Sequence, residues 1–324
     1  MGTPESGRRG EHLSAPRIVY FGSGAFAVPP LERLHAAGYP ILAVVSQPPK
    51  PAGRGMRLQP TPVHSLAESL GLPVLTPARA RDPEFLAHLR ALAPDLIVLA
   101  SYGKILPQAA LEIAPLGNWN LHGSLLPKYR GASPIQYALL NGERETGVTL
   151  MEMVAEMDAG DIYLQATEPI HPDDDYGTLE ARLAQRAANL LLEGLERLQA
   201  GALTRTPQDH AAATYAPLIT KDDTRIRWEE PAEQCRNRIR AFSPKPGAFT
   251  HWRGKTLKLW RAEVAPRTED AAPGTIIACA PDDFRVACGE GALRLLEVQP
   301  ESRPRMEIRA FLNGYRPQVG ERFG

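Results

Sequence analysis

The sequence predicts a doubly wound, mostly parallel α/β domain followed by a small β-barrel, and three observations carry that prediction. Up to about residue 140, short apolar runs alternate with helical stretches of about ten residues, the pattern of a parallel sheet wrapped by helices. A long amphipathic helix then closes this region at residues 176–199. From Lys221 onward, strand-like pieces are separated by Pro, Gly and Asp clusters, the texture of a small closed β module. A chain of 324 residues accommodates two domains. The expected division is a disordered tail at 1–16, a first domain at 17–201, a weakly patterned linker at 202–220 and a β-rich domain at 221–324.

Arg17 to Phe21 reads as a buried strand and Gly22-Ser23-Gly24 as the turn after it. The next helix carries Phe26, Leu31 and Leu34 and stops at Gly38. Ile41–Ser46 is an apolar strand, Pro62–Leu70 a helix and Pro73–Leu75 a short strand. Asp82–Leu92 is a helix with Asp82 as cap and Pro83 at its first position. Asp95–Ala100 and Trp119–His122 read as strands, and Ser133–Leu140 as a helix. Gly147–Val154 and Ile162–Ile170 are strands joined by a loop that holds Asp158, Gly160 and Asp161. Tyr176–Gln199 is a helix with leucines at 179, 183, 190, 191, 195 and 198, ended by Gly201. Thr256–Trp260, Gly274–Ala278, Phe284–Ala287 and Leu293–Val298 are the strands of the second domain.

Basic and acidic residues number 37 each, so a protein coated uniformly with positive charge is excluded, while a local basic patch is not. Three cysteines, none at a C-x-x-C spacing, suggest neither a zinc site nor a redox dithiol and fit a reducing cytoplasm. No metal is expected, because His64, His88, His210 and His251 have no partner at ligand spacing. The first 16 residues lack the apolar core of a signal peptide. No run approaches the ~18 apolar residues of a membrane helix.

Four segments are candidates for function. Gly22-Ser23-Gly24 follows a strand, but the third glycine of a dinucleotide fingerprint is missing and no acid closes the second strand. The strongest candidate is Asn120-Leu121-His122-Gly123-Ser124-Leu125-Leu126-Pro127. In an extended segment Asn120 and His122 share a face. An amide and an imidazole beside a rigid apolar wall suit a site that polarises a carbonyl and manages a proton. Asp158 is the carboxylate that could orient the imidazole, and Asp161 reads as a loop-fixing residue. The third segment, Gln47–Pro60, holds Lys50, Arg54 and Arg57 and no acid; a fourteen-residue loop of this kind is often functional. The fourth, Arg236–Arg261, has eight basic residues, no acid and four interleaved aromatics.

These segments resemble the folate-dependent formyltransferases. The resemblance rests on Asn120–Pro127, Arg130-Gly131-Ala132, Pro134 and Met157-Asp158-Ala159-Gly160-Asp161. Ala52–Gly55, Ser101–Pro107 and Ala241–Phe249 are similar to the members that act on methionyl-tRNA, and the likeness runs from about Arg17 to the C-terminus. It implies a Rossmann-like formyltransferase domain and an OB-like C-terminal barrel. It also implies transfer of the formyl group of 10-formyltetrahydrofolate to the α-amino group of methionine on initiator tRNA, in support of translation initiation.

By this resemblance Asn120, His122 and Asp158 are catalytic. Asn120 would hold the oxyanion, and His122 would either take the amine proton or act as an imidazolium beside it. The folate would lie along Ser124, Leu125, Leu126 and Pro127, with Leu99, Tyr102, Ile105 and Leu106 as the opposite wall. The tRNA would be held by Lys50, Arg54 and Arg57 on the 47–60 insertion and by Arg236, Arg240, Lys245, Arg253 and Lys255. Phosphate contacts of this kind position without reading bases and weaken with salt. Fitting one acceptor end to one cleft implies a monomer. The family's usual Thr-Pro is here Ser23-Gly24, which removes a first-turn proline.

A formyltransferase for a small amine would share Asn120, His122 and Asp158, but would need neither the basic C-terminal module nor the 47–60 loop. An RNA-binding protein with a degenerate catalytic domain is disfavoured by those same three residues. An NAD-dependent oxidoreductase is disfavoured by the broken fingerprint.

Overall fold

The computed structural model describes residues 14–52 and 56–324. In chain order its strands and helices begin with β1 (Ile18–Gly22), α1 (Val28–Ala36), β2 (Ile41–Val45), β3 (Lys50–Ala52), β4 (Arg57–Gln59), α2 (Pro62–Ser69) and β5 (Val74–Leu75). They continue with α3 (Pro83–Leu92), β6 (Leu96–Ala100), α4 (Gln108–Leu111), β7 (Asn118–His122), α5 (Pro134–Leu140), β8 (Glu145–Glu152), β9 (Ile162–Pro169) and α6 (Tyr176–Gln199). The last are α7 (Ala232–Ala241), β10 (Ala248–Trp252), β11 (Lys255–Ala265), β12 (Ile276–Ala280), β13 (Asp283–Ala287), β14 (Ala292–Pro300), β15 (Met306–Glu307) and α8 (Ile308–Tyr315).

The chain forms two compact units. The first takes in the described residues up to Gly131, Gly147–Glu168 and Ala181–Tyr215; the second takes in Ala132–Thr146, Pro169–Glu180 and Ala216–Gly324. No helix among the described residues is long and apolar enough to cross a membrane.

The first unit is built on a seven-stranded sheet of order β5-β2-β1-β6-β7-β8-β9. The β2–β5, β1–β2, β1–β6 and β6–β7 pairs are parallel, and β7–β8 is antiparallel. All five residues of β1 are buried, as a central parallel strand covered on both faces requires. Val19, Phe21, Val45 and Ile97 pack with Phe85, Leu86 and Leu89 of α3. Trp119 and Leu150 receive α6 at Gly194, where a Cβ would meet Leu150 Cδ2 at 2.5 Å. The chain leaves β1 toward β2 and β5, then returns to β6 on the other side of β1. Open α/β sheets bind ligands outside the strand ends at such a reversal. Gly22-Ser23-Gly24 sits there, with the Ser23 and Gly24 amides both donating to the Ser101 carbonyl at 3.1 Å. The turn is thus a strand-to-helix junction tied to the end of β6.

The 47–60 segment, expected as an irregular loop, carries a two-stranded antiparallel ribbon, β3 on β4. Its start is anchored: Gln47 N donates to Ser23 Oγ at 3.1 Å and Gln47 Nε2 to the Tyr102 carbonyl at 2.8 Å. Pairing of Lys50 with Gln59 and Ala52 with Arg57 leaves no apolar periodicity to read, so the ribbon was invisible to pattern arguments.

The second unit holds an antiparallel sheet of order β10-β11-β14-β13-β12, with β15 added to β14. Register shifts between Leu259 and Ala262 bend β11, the device by which small sheets curl. Trp252, Phe284, Phe311 and Phe323 form its aromatic centre. Two helices not read from the sequence accompany the strands of this β-rich unit. In α7 just Ala232, Cys235, Ile239 and Ala241 supply a buried apolar stripe among polar residues. In α8 the stripe is Ile308 and Phe311.

Glu168 at the end of β9 receives Arg182 Nε at 2.8 Å and Arg186 Nε at 2.7 Å. Burial alone would raise its pKa, but the bonds from Arg186 and Arg182 outweigh it and the carboxyl is lowered. A carboxyl lowered on folding adds stability above the unfolded value, and that share is lost as the pH falls through the folded value. Glu168→Gln is therefore expected to cost about 1–3 kcal/mol at neutral pH. Urea unfolding should show the deficit shrinking below about pH 4; an equal deficit at both pH values would contradict the ion-pair account.

Candidate active site

The site is assembled at the carboxyl end of β7 and in the two loops that follow β7 and β8. Asn120 and His122 alternate with Leu121 on β7, so both side chains project to one face, as the spacing predicts. Both are nearly enclosed, at 9% and 5% exposure. Asp158 stands across from them: its carboxylate lies 3.6 Å from His122 Nδ1 and accepts from Asn120 Nδ2 at 3.4 Å. The three residues expected to be catalytic are brought together.

The segment Tyr129–Gly131 holds both partners. His122 Nε2 lies 2.8 Å from the Tyr129 carbonyl, which can only accept, so Nε2 carries the hydrogen. Nδ1 is then the nitrogen that faces Asp158. The Gly131 amide donates to Asp158 Oδ2 at 2.8 Å. Tyr129 and Asp158 both have positive φ, 64° and 51°, conformations that non-glycine residues adopt rarely and that concentrate at functional sites. Asp161 supports the loop through its backbone, its carbonyl accepting from Glu152 N at 2.9 Å.

The turn after His122 is closed by local bonds. Ser124 is buried and its hydroxyl donates to the Lys128 carbonyl at 2.7 Å, which fits a turn residue. Thr149 of β8 accepts from the Leu126 amide at 3.1 Å, donates to the Ser124 carbonyl at 2.7 Å and accepts from Gln165 Nε2 at 2.9 Å. Of the eight residues expected to line a folate, Ser124, Leu126, Leu106 and Tyr102 are enclosed. Tyr102 packs edge-on against Phe21 at 5.2 Å, and its hydroxyl has no partner among the described residues. Burial pushes that phenol up to about 12. Its ring is core, and its carbonyl ties down Ser23 and Gln47. Leu99, Leu125 and Pro127 keep part of their surface, and Ile105 is 76% exposed.

Lys50 and Arg57 are exposed on the β3–β4 ribbon, and Lys50 bonds Gln47 Oε1 at 2.9 Å. Arg54 lies outside the described residues. In the second unit, several cations of the basic window are engaged within the unit. Arg236 donates to the Pro172 carbonyl, and Arg240 donates to the carbonyls of Asp174 (2.5 Å) and His171 (3.0 Å). Burial and the neighbouring Arg236 lower the pKa of Arg240. Arg238 pairs with Glu230 at 2.8 Å, and Arg253 with Glu321 at 2.7 Å. Arg253 also stacks on Trp252, 4.1 Å from the ring centroid. The acids that answer this run lie elsewhere in the sequence, so a window count could not reveal them. Lys245 and Lys255 are exposed and have no ion-pair partner among the described residues.

Sequence reasoning missed Gln208. It stands in the segment expected as a linker, yet it is buried and donates to the Asp158 carbonyl at 2.8 Å and the Gly160 carbonyl at 2.7 Å. That segment also bridges to Ile162 through Thr206 and to Arg130 through Tyr215. No apolar period marks it, because its contacts are made by polar groups. No group of three or more His, Cys, Asp or Glu suited to a metal occurs among the described residues.

Residues 16–195 match the family described as Formyl transferase, and residues 218–316 match Formyl transferase, C-terminal domain. A methionyl-tRNA formyltransferase of Geobacter metallireducens is 47% identical over 307 residues, covering 95% of this chain and 98% of that protein. One from Roseiflexus sp. is 49% identical over 310 residues, covering 95% of each. Among solved structures, HypX from Aquifex aeolicus in complex with tetrahydrofolic acid superposes with a TM-score of 0.65. It is 19% identical and covers 95% of this chain and 49% of that one, a likeness of fold.

Thr149→Val removes the hydroxyl that joins β8 to the 124–126 turn. Urea denaturation is expected to show a loss of about 1–3 kcal/mol, with Thr149→Ser close to wild type. Equal stability of the valine variant would show that the turn does not depend on this bond.

Proposed function

The chain belongs to the formyl transferase family, and from that premise we propose that it transfers a formyl group from 10-formyltetrahydrofolate to the α-amino group of methionine on initiator methionyl-tRNA. The observation that carries the catalytic part is the convergence of Asn120, His122 and Asp158 on one strand end and its facing loop. The acceptor is supported by relatives named methionyl-tRNA formyltransferase at 47–49% identity over nearly the whole chain. Partly exposed apolar groups at Leu99, in register with Asn120, and at Leu125 and Pro127 in the turn after His122 fit a folate, with Ile105 exposed in the loop after β6. The folate supplies an activated formyl carbon and an amine leaving group.

The incoming amine is itself the nucleophile, so no activated serine or cysteine is required. Asn120 Nδ2 donates to the formyl oxygen as negative charge develops there. His122 Nδ1, left without a proton by the Nε2–H bond to Tyr129, accepts a proton from the attacking amine. Attack forms the new C–N bond and a tetrahedral oxyanion; its collapse breaks the old C–N bond, and the same proton is returned to the departing folate nitrogen. Asp158 stabilises the imidazolium between these two transfers. The reading includes a monomer acting in the cytoplasm. Lys50, Arg54 and Arg57 contact the acceptor end, and Lys245 and Lys255 supply phosphate contacts. Arg253, bonded to Glu321 and to the Tyr315 carbonyl, would hold the β10–β11 turn that carries Lys255, while Arg236 and Arg240 are engaged by residues 171–174.

His122→Ala and Asn120→Ala are each expected to lower turnover by at least ~10²-fold while both substrates still bind. Turnover near wild type in both variants would remove the site assignment. Charge removal at Lys245 and Lys255 together should raise the KM for tRNA more than it lowers kcat. It should also flatten the salt dependence by about one unit of slope for each phosphate that is no longer neutralised. An unchanged slope would count against these lysines. Assays with charged initiator tRNA, elongator tRNA and free methionine test the acceptor; formylation of free methionine as fast as of initiator tRNA would favour the small-amine reading.

A further inference from the structure

The geometry points to Gln208 as a positioning residue for formyl transfer, one that sets the place of Asp158 through the backbone and is itself aimed by Arg130. This rests on the reading of Asp158 as the partner of His122. Arg130 is 2% exposed, and its guanidinium donates twice to Gln208 Oε1, from Nε at 3.1 Å and Nη2 at 2.8 Å. A guanidinium cannot accept, so the amide oxygen must face Arg130 and the amide nitrogen must face away. That nitrogen spends its two hydrogens on the Asp158 and Gly160 carbonyls. A single amide thereby grips the loop on both sides of Ala159, and its donors and accepting oxygen are all used.

Other contacts leave the loop little alternative to this grip. At Gly160 a Cβ would come within 2.0 Å of the Glu152 carbonyl, so the loop lies directly on the end of β8. Asp158 sits at φ 51°, in the left-handed region, and its loop is bonded there by the Gly131 amide and the Gln208 amide. Arg130 lies between Tyr129, whose carbonyl takes His122, and Gly131, whose amide takes Asp158. One tripeptide thus fixes the ring and the carboxylate by backbone and the carboxylate's loop by side chain. The charge of Arg130 is met by Gln208, by His210 Nδ1 at 3.1 Å and by the exposed Glu156 at 3.6 Å. Bonding to a buried cation polarises the Gln208 amide and strengthens its N–H donors. Neither Arg130 nor Gln208 contacts the reacting atoms in this account.

The test is steady-state and single-turnover formyl transfer to charged initiator tRNA with the full chain. Gln208→Ala and Gln208→Glu are expected to lower kcat ~10- to 100-fold, the scale of a misplaced catalytic group, with both KM values within about threefold of wild type. Glutamate keeps the size and the acceptor for Arg130 but sets a carboxylate against two carbonyls, so it controls for cavity formation. Arg130→Lys, which keeps the charge and loses the two-pronged donation, should show the same split in milder form. The decisive comparison is Gln208→Ala in an Asp158→Asn background. If Gln208 acts through Asp158, the double variant is less than about threefold slower than Asp158→Asn alone. Losses that multiply, or wild-type kcat in both Gln208 variants while Asp158→Asn is impaired, overturn the inference and leave the site reading standing. Wild-type turnover in Asp158→Asn removes the site reading itself and the inference with it.

Discussion

Two backbone groups two residues apart, the Tyr129 carbonyl and the Gly131 amide, take hold of the His122 ring and the Asp158 carboxylate. Everything proposed for the chemistry depends on that pair of bonds. The first fixes which ring nitrogen carries hydrogen and leaves the other facing Asp158. The second turns the carboxylate toward that nitrogen. The segment is held in turn by Thr214, which bonds the Tyr129 amide through its hydroxyl at 2.8 Å and the Arg130 amide through its carbonyl at 2.8 Å. Strand β7 contributes rigidity: its register against β8 sets Asn120 opposite Met151 and His122 opposite Thr149. A site carried on a sheet strand and closed by bonded loops costs little reorganisation when charge develops, which is where electrostatic catalysis gains most.

Much of this was legible in the sequence for a simple reason. Strands that are buried on both faces announce themselves as apolar runs, and helices such as Pro83–Leu92 and Tyr176–Gln199 carry caps and periodicity at the observed bounds. The i, i+2 spacing of Asn120 and His122 translates directly into one face of β7. What escaped was held by polar groups. Helix α7 has four apolar or small buried positions among arginines and an asparagine. The β3–β4 ribbon has none that repeat. Gln208 belongs to a stretch whose backbone pairs with Ile162 and Arg130 at isolated positions, and its importance lies in an amide that no periodicity records.

Charge shows the same limit from the other side. A window of eight cations without an acid suggests a bare positive surface, yet Glu230 and Glu321 reach Arg238 and Arg253 from outside the window. Glu307 does the same for Arg261. Pairing pulls the Glu321 carboxyl downward, led by the Arg253 hydrogen bond. Exposed pairs of this kind contribute little to stability. Their effect here is on availability: they separate cations already engaged within the second unit from Lys245 and Lys255. The folate wall divides likewise, because Tyr102 reads as an aromatic wall in sequence and is a core residue in space.

Tyr129 fixes His122 with hydrogen on Nε2 and leaves Nδ1 facing Asp158. Nitrogen-15 NMR of the histidine-labelled protein, with His122 assigned by its loss in His122→Ala, measures this directly. The neutral ring is expected to be the Nε2–H tautomer, with the Nε2 proton in a hydrogen bond. A neutral ring with its hydrogen on Nδ1 would contradict it.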